Sequence, residues 1–153
     1  MCSRSVRDVP RLTLEMRRGI LHNVETDPQF AEGIERFNQR DFYAAHDAWE
    51  SLWLETAPGE EKEFLQGLIL AAVALHHYGN SNHRGARSRF RLACDRLEAV
   101  PSPFWGVDVK KFVRRMKGAL HGLMTSDHPA PLNLKVVPSL RRSENGKGDK
   151  DLR

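Results

Sequence analysis

The segment from Glu60 to Tyr78 limits the fold more than any other. Placed at 100° per residue, Phe64, Leu65, Leu68, Ile69, Ala72, Val73 and Leu75 cover most of a helical circumference. A helix that is apolar nearly all round is stable where neighbours surround it. Its longest aliphatic run, Leu68 to Leu75, is about half what a bilayer crossing needs, so no membrane partner is expected. Gly67, Ala71 and Ala74 would let another helix approach closely, and Glu60, Glu61 and Glu63 complement the helix dipole in the first turn.

The flanking segments have the faces to surround it. Asp27-Pro28 reads as an N-cap followed by proline at the first helical position, opening a helix over 28–39 with Phe30, Ile34 and Phe37 inward. Asp41 caps the next, whose apolar face is Phe42, Ala45, Trp49, Leu52 and Trp53; it ends near Thr56, before the turn signal Pro58-Gly59. Asn82 caps a helix over 83–99 with Ala86, Phe90, Ala93, Cys94 and Leu97 inward. Asp108 caps a final helix to about Met124, burying Val109, Phe112, Val113, Met116, Leu120 and Leu123.

No segment alternates as a hairpin strand would. The pattern predicts an all-α fold, a compact bundle of about five helices around the central apolar one, with short connections and an extended C-terminal tail. Residues 1–27 are expected to form an N-terminal arm, with Leu12, Met16 and Ile20 as one short stripe, and 28–125 the helical domain. Residues 126–153 form a tail in which Pro129, Pro131 and Pro138 forbid regular helix. Leu132, Leu134, Val136 and Val137 can strap it across the bundle, and the polar run from 139 is expected to be disordered.

At 153 residues and 40% hydrophobic, the chain suits a single globular domain. Two cysteines, Cys2 and Cys94, argue against a disulfide framework or a cysteine zinc site, and no apolar segment follows the basic residues near the start. Cytoplasmic localisation is the resulting expectation. The net charge of +4 hides an asymmetry. Residues 28–65 hold nine acids against Arg36, Arg40 and Lys62, a net of −6; residues 82–125 hold ten Arg or Lys against Asp95, Glu98 and Asp108, a net of +7. One-signed fields of this kind suit polyanion binding or self-association as a homo-oligomer, or serve as ordinary solvated faces.

Few residues have the chemistry for a site. His46 and Glu50, at i and i+4, project from one side of a helix and could ligate a divalent metal, or form a base and its orienting partner. The central helix adds Gln66, His76 and His77, but Gln66 and His77 lie on the order of 16 Å apart at 1.5 Å per residue and cannot share one ion. His46, Glu50 and one of His76 or His77 could meet if the second and third helices pack with those ends adjacent; His46, Glu50 and His77 form the candidate metal set, with Asp47 as base or supporting group. The alternative is that His46 hydrogen-bonds Glu50 or Gln66 and ties two helices together. Trp49 and Trp53 fit a core stripe, or a platform if they border an opening. Lys110, Lys111, Arg114, Arg115 and Lys117 are the candidate anion-binding residues, with Arg84, Arg87 and Arg91 on the preceding helix. No aromatic residue interleaves the 110–121 side as a base-stacking platform would require.

The stretch Phe37-Asn38-Gln39-Arg40-Asp41-Phe42-Tyr43-Ala44-Ala45-His46-Asp47-Ala48-Trp49-Glu50-Ser51-Leu52-Trp53 resembles the opening motif of the bacterial domain of unknown function 309 family. Phe64-Leu65-Gln66-Gly67-Leu68-Ile69 resembles its second motif, and His77 with Asn82, Gly85 and Ala86 its third. By this resemblance Asn38, His46, Asp47, Glu50, Trp53, Gln66, Gly67 and His77 occupy characteristic positions. Arg40 and Ser81 stand where the family usually has glycine, which implies altered turns; Leu70 stands where it often has glutamine, and Asp47 replaces a common glutamate. The resemblance implies an all-helical domain with no settled activity, for which a metal-dependent hydrolase has been suggested.

Three functions follow from these residues. One is a non-catalytic module that binds a protein partner or small ligand through the groove near His46, Glu50, Trp49 and Gln66. Another is a metal-dependent hydrolase using the same cluster. The third is polyanion or nucleic-acid binding by the basic half. A protein or small ligand is favoured over nucleic acid.

Overall fold

The computed structural model describes residues 24–143. Six helices follow in order: α1 (Pro28–Asn38), α2 (Phe42–Leu54), α3 (Glu60–Gly79), α4 (His83–Glu98), α5 (Val109–Ala119) and α6 (His121–Thr125). Single 3-10 turns lie at Val24–Thr26 and Leu134–Val136. The described residues form isolated bridges, Phe104 with Val107 and Val107 with Arg142, but no strand. The fold is a compact all-α bundle, as predicted. Most of the N-terminal arm, including the Leu12, Met16 and Ile20 stripe, lies outside the described residues, as do positions 144–153.

Local chemistry starts the helices where the sequence predicts. The Asp27 carboxylate accepts from the Gln29 amide (2.8 Å), with Pro28 behind it, and Asp41 accepts from Ala44 (3.1 Å). Asn82 accepts from Gly85 and Asp108 from Lys111, each at 3.0 Å. Each cap satisfies an amide that has no partner within its own helix. The start of α3 has no side-chain cap; its three first-turn acids face the helix dipole instead.

α3 is the buried element. Phe64, Leu65, Leu68, Ala72, Ala74 and Leu75 are all fully or almost fully enclosed, with α2 packed along one side and α4 along another. At Gly67 a β-carbon would come within 2.6 Å of Leu97, so the missing side chain is what lets α3 and α4 meet. The same device joins α1 to α2. The Trp49 indole lies against Gly33, where a β-carbon would stand 2.1 Å from Nε1, and that nitrogen donates to the Phe30 carbonyl at 3.2 Å. Phe37 bridges outward to Phe42 on α2 (5.2 Å between ring centres) and Phe112 on α5 (5.8 Å), closing the bundle.

Three features depart from the predicted pattern. The final helix breaks at Leu120, whose φ of −103° and ψ of 14° separate α5 from α6. Gly118 and Gly122 flank the break with nothing packed against either, and glycine holds a helix weakly. The two turns expected to be altered keep a glycine-like backbone instead, with Arg40 at φ 70° and Ser81 at φ 64°. Lastly, the tail is ordered beyond residue 139, where disorder was expected. Val137 and Leu140 are buried, while Leu134 and Val136 stay exposed. Tyr78 donates to the Ala130 carbonyl (2.7 Å) and Arg40 to the carbonyls of Val137 (2.6 Å) and Pro138 (3.4 Å). The Asn38 amide exchanges two bonds with the backbone of Leu140, at 2.9 and 2.8 Å. The strap is thus held by side chains of α1, α3 and the α1–α2 turn.

The Gly33–Trp49 contact predicts that Gly33→Ala destabilises the fold by about 1–3 kcal/mol, since an enclosed indole held by a hydrogen bond has little room to retreat. Urea denaturation checks this through a lower midpoint at unchanged slope.

Candidate functional site

α2 leaves one side open to solvent, and the polar motif residues project there. His46 Nε2 lies 3.1 Å from Glu50 Oε1, the i, i+4 pairing expected from sequence. His46, Asp47 and Glu50 each offer a ligand atom, all within 4.8 Å of one another. Tyr43, one turn before His46, is 57% exposed. Its ring centre lies 5.4 Å from that of His46 and 5.4 Å from that of His76 on α3. An aromatic ring thus stands between two imidazoles at the seam of α2 and α3, with two carboxylates beside it. Tyr43 was not singled out from the sequence, where its i−3 spacing from His46 was the available signal; His76 was named on the central helix but left out of the candidate metal set.

The other predicted residues go elsewhere. Trp49 is fully enclosed and belongs to the core, so it lines no groove. Trp53 is half-buried under the Lys62 ammonium, 4.2 Å from the ring centre. Asn38 serves the C-terminal strap. Gln66 is half-buried and, among the described residues, makes no side-chain hydrogen bond. His77 does not join His46 and Glu50; its Nδ1 lies 3.3 Å from the Asn82 side-chain nitrogen, at the turn into α4. Burial, with the nearby His76 and Arg89 charges, holds the His77 pKa below its usual 6.5. The close group is therefore His46, Asp47 and Glu50, not His46, Glu50 and His77.

This group fits a resident catalytic metal poorly. All three ligands come from one helix, and both carboxylates are well exposed. Among the described residues, His46 Nδ1 is buried without a hydrogen-bond partner. Ligation through Nε2 would put the ring proton on Nδ1, whereas a metal-bound histidine normally donates that proton to an acceptor. An orphaned buried donor costs about 1–3 kcal/mol, which weakens any ion held here by roughly 5- to 150-fold. In the neutral tautomer that carries its proton on Nε2, facing Glu50, that cost does not arise, because only a lone pair is left in the interior. Thiol chemistry is also disfavoured, because burial pushes the Cys94 pKa up to about 11.

The basic residues divide in two. Lys117 pairs with Glu98 (2.8 Å), which holds its pKa above the usual value chiefly through that hydrogen bond. Arg87 donates to the carbonyls of Leu123 (2.8 Å) and Ser126 (2.9 Å), closing the end of α6. Arg84, Arg91, Lys110, Arg114 and Arg115 are exposed.

An all-helical bundle with a polar His-Asp-Glu corner on its second helix is the class that fold and site define. Residues 30–88 match the family model described as Domain of unknown function (DUF309), so this segment is similar to that family. It runs from α1 into the first turns of α4, taking in the His46 corner and leaving out α5, α6 and the strap. An uncharacterized protein of Aquifex aeolicus (strain VF5) is 32% identical over 73 residues, 48% of this chain and 22% of the relative. The uncharacterized protein YpuF of Bacillus subtilis (strain 168) is 35% identical over 54 residues, 35% of this chain and 31% of the relative. The chain thus spans about a fifth to a third of the length of the curated relatives it matches. Among the described residues no helix is long and apolar enough to cross a membrane.

His77 sets a pH dependence. Its pKa is lower folded than unfolded, so between the two values the unfolded chain binds more protons. Its contribution is full above about 6.5 and is lost as pH falls toward the folded value. Melting curves from pH 8 to 5 should show a steeper loss for the native chain than for His77→Gln; equal slopes would contradict this.

Proposed function

We propose that the domain is a non-catalytic binding module that recognises a protein partner through the Tyr43 face of α2 and α3. One observation carries this reading: an exposed tyrosine held between the imidazoles of His46 and His76, beside the carboxylates of Asp47 and Glu50. A ring already ordered by its neighbours loses little freedom on binding, and tyrosine is among the residues that dominate interface energies. An aromatic face bordered by carboxylates is complementary to a guanidinium, which can stack on the ring while donating to an acid. The partner is therefore one that presents an arginine. The opening expected beside Trp49 is replaced by this shallower face one turn toward the start of α2.

A metal-dependent hydrolase is the second reading, favoured by the convergence of three ligand atoms within 4.8 Å. The unpartnered Nδ1 of His46 and the exposure of the acids weigh against it. Zinc titration separates the two, since tight one-to-one binding lost in His46→Ala belongs to the hydrolase reading alone.

Titrating ¹⁵N-labelled protein with an acetylated, amidated arginine dipeptide tests the proposal. The expected result is saturable shifts centred on Tyr43, His46, Asp47, Glu50 and His76, weakened about tenfold in Tyr43→Ala with its melting point preserved. Shifts scattered over the surface, or identical in the variant, would overturn it.

A further inference from the structure

The α4–α6 side has chemistry that the Tyr43 face does not use. We propose that it binds the phosphate backbone of a nucleic-acid duplex without reading base sequence.

Two contacts place the basic side chains together. Lys117 reaches Glu98, and Arg87 reaches the carbonyls of Leu123 and Ser126, so α5 and α6 run back along α4 in the opposite direction. Arg84 and Arg91 are two turns apart on α4, on nearly the same helical side as Arg87. Lys110 and Arg114, one turn apart on α5, share a side with Lys117. Because Lys117 meets Glu98 at the last residue of α4, Arg114 and Lys110 continue past that end, and the cations of the two helices lie end to end along one seam. Between Arg84 and Arg91 the stripe runs about 10 Å, roughly three base-pair rises at 3.4 Å each.

These charges are available. Among the described residues, Arg84, Arg91, Lys110 and Arg114 make no ion pair or side-chain hydrogen bond, and all are exposed. Two of the three acids in this half are already engaged, Glu98 with Lys117 and Asp108 with the Lys111 amide. The acidic α1–α3 half would turn this side toward a polyanion during approach.

The occupant follows from what the seam lacks. No aromatic ring is interleaved among the cations for unpaired bases to stack on, which favours a duplex over a single strand. From His83 to Thr125 there is no Asn or Gln, the residues suited to reading adenine edges, so binding is to phosphate. A membrane surface would call for apolar residues beside the cations. The exposed Leu92 points about 100° round α4 from Arg91, off the seam.

Fluorescence polarisation of the full-length protein with a labelled 24-base-pair duplex of mixed sequence tests this. Neutralising about four phosphates predicts a log–log salt slope of about −3.6, a loss of roughly 150-fold from 50 to 200 mM salt. Arg91→Gln with Arg114→Gln, both exposed and without structural bonds among the described residues, should halve the slope without moving the melting point. A slope flatter than −2 or an unaffected double variant would overturn the proposal. So would tighter binding to the matching single strand, or to vesicles of one-quarter phosphatidylglycerol in phosphatidylcholine.

Discussion

Enclosure of α3 is the constraint from which the rest of the molecule follows. Its side chains from Phe64 to Leu75 point in nearly every direction and almost all are out of water. Burial of this extent is worth on the order of 1.5–3 kcal/mol for each large apolar side chain, opposed by the entropy of ordering the chain. No single neighbour can cover such a surface. α2 and α4 must both lie against it, Phe30 of α1 adds a ring against Phe64, and Phe37 ties α1 to Phe112 of α5. Close approach requires the absent side chains at Gly33 and Gly67, so two glycines decide how the most apolar residues meet.

Much of this was legible because its causes are local. The caps at Asp27, Asp41, Asn82 and Asp108 act within three residues, and the inward stripes depend only on helical period. The strap was only partly legible. Its apolar residues suggested a crossing, but what holds it is an amide and a guanidinium about a hundred positions away, at Asn38 and Arg40. Arg40 shows the physical trade. It occupies a left-handed backbone position that glycine would take without strain, and its side chain gains two carbonyls of the strap in return. At Ser81 no comparable bond is present among the described residues, and nothing in the structure explains the choice of serine.

The candidate site was legible in the same proportion. The pairing of His46 with Glu50 needs only one helix and was readable from their spacing. Whether His76 or His77 would meet them depended on the rotation of α3 about its axis, which its nearly uniform apolar surface leaves undetermined. The structure turns His76 toward Tyr43 and His77 toward Asn82. The result is a domain with two chemically distinct surfaces, an aromatic and acidic corner inside the segment that matches the family model and a basic side mostly outside it.

Native-state hydrogen exchange on the full-length protein reaches the central claim most directly. If α3 is the enclosed element, its amides between Leu65 and Leu75 exchange only through global unfolding, with an apparent opening free energy equal to that from denaturant melting. Faster exchange there than in the flanking helices, through openings cheaper than global unfolding, would contradict the account.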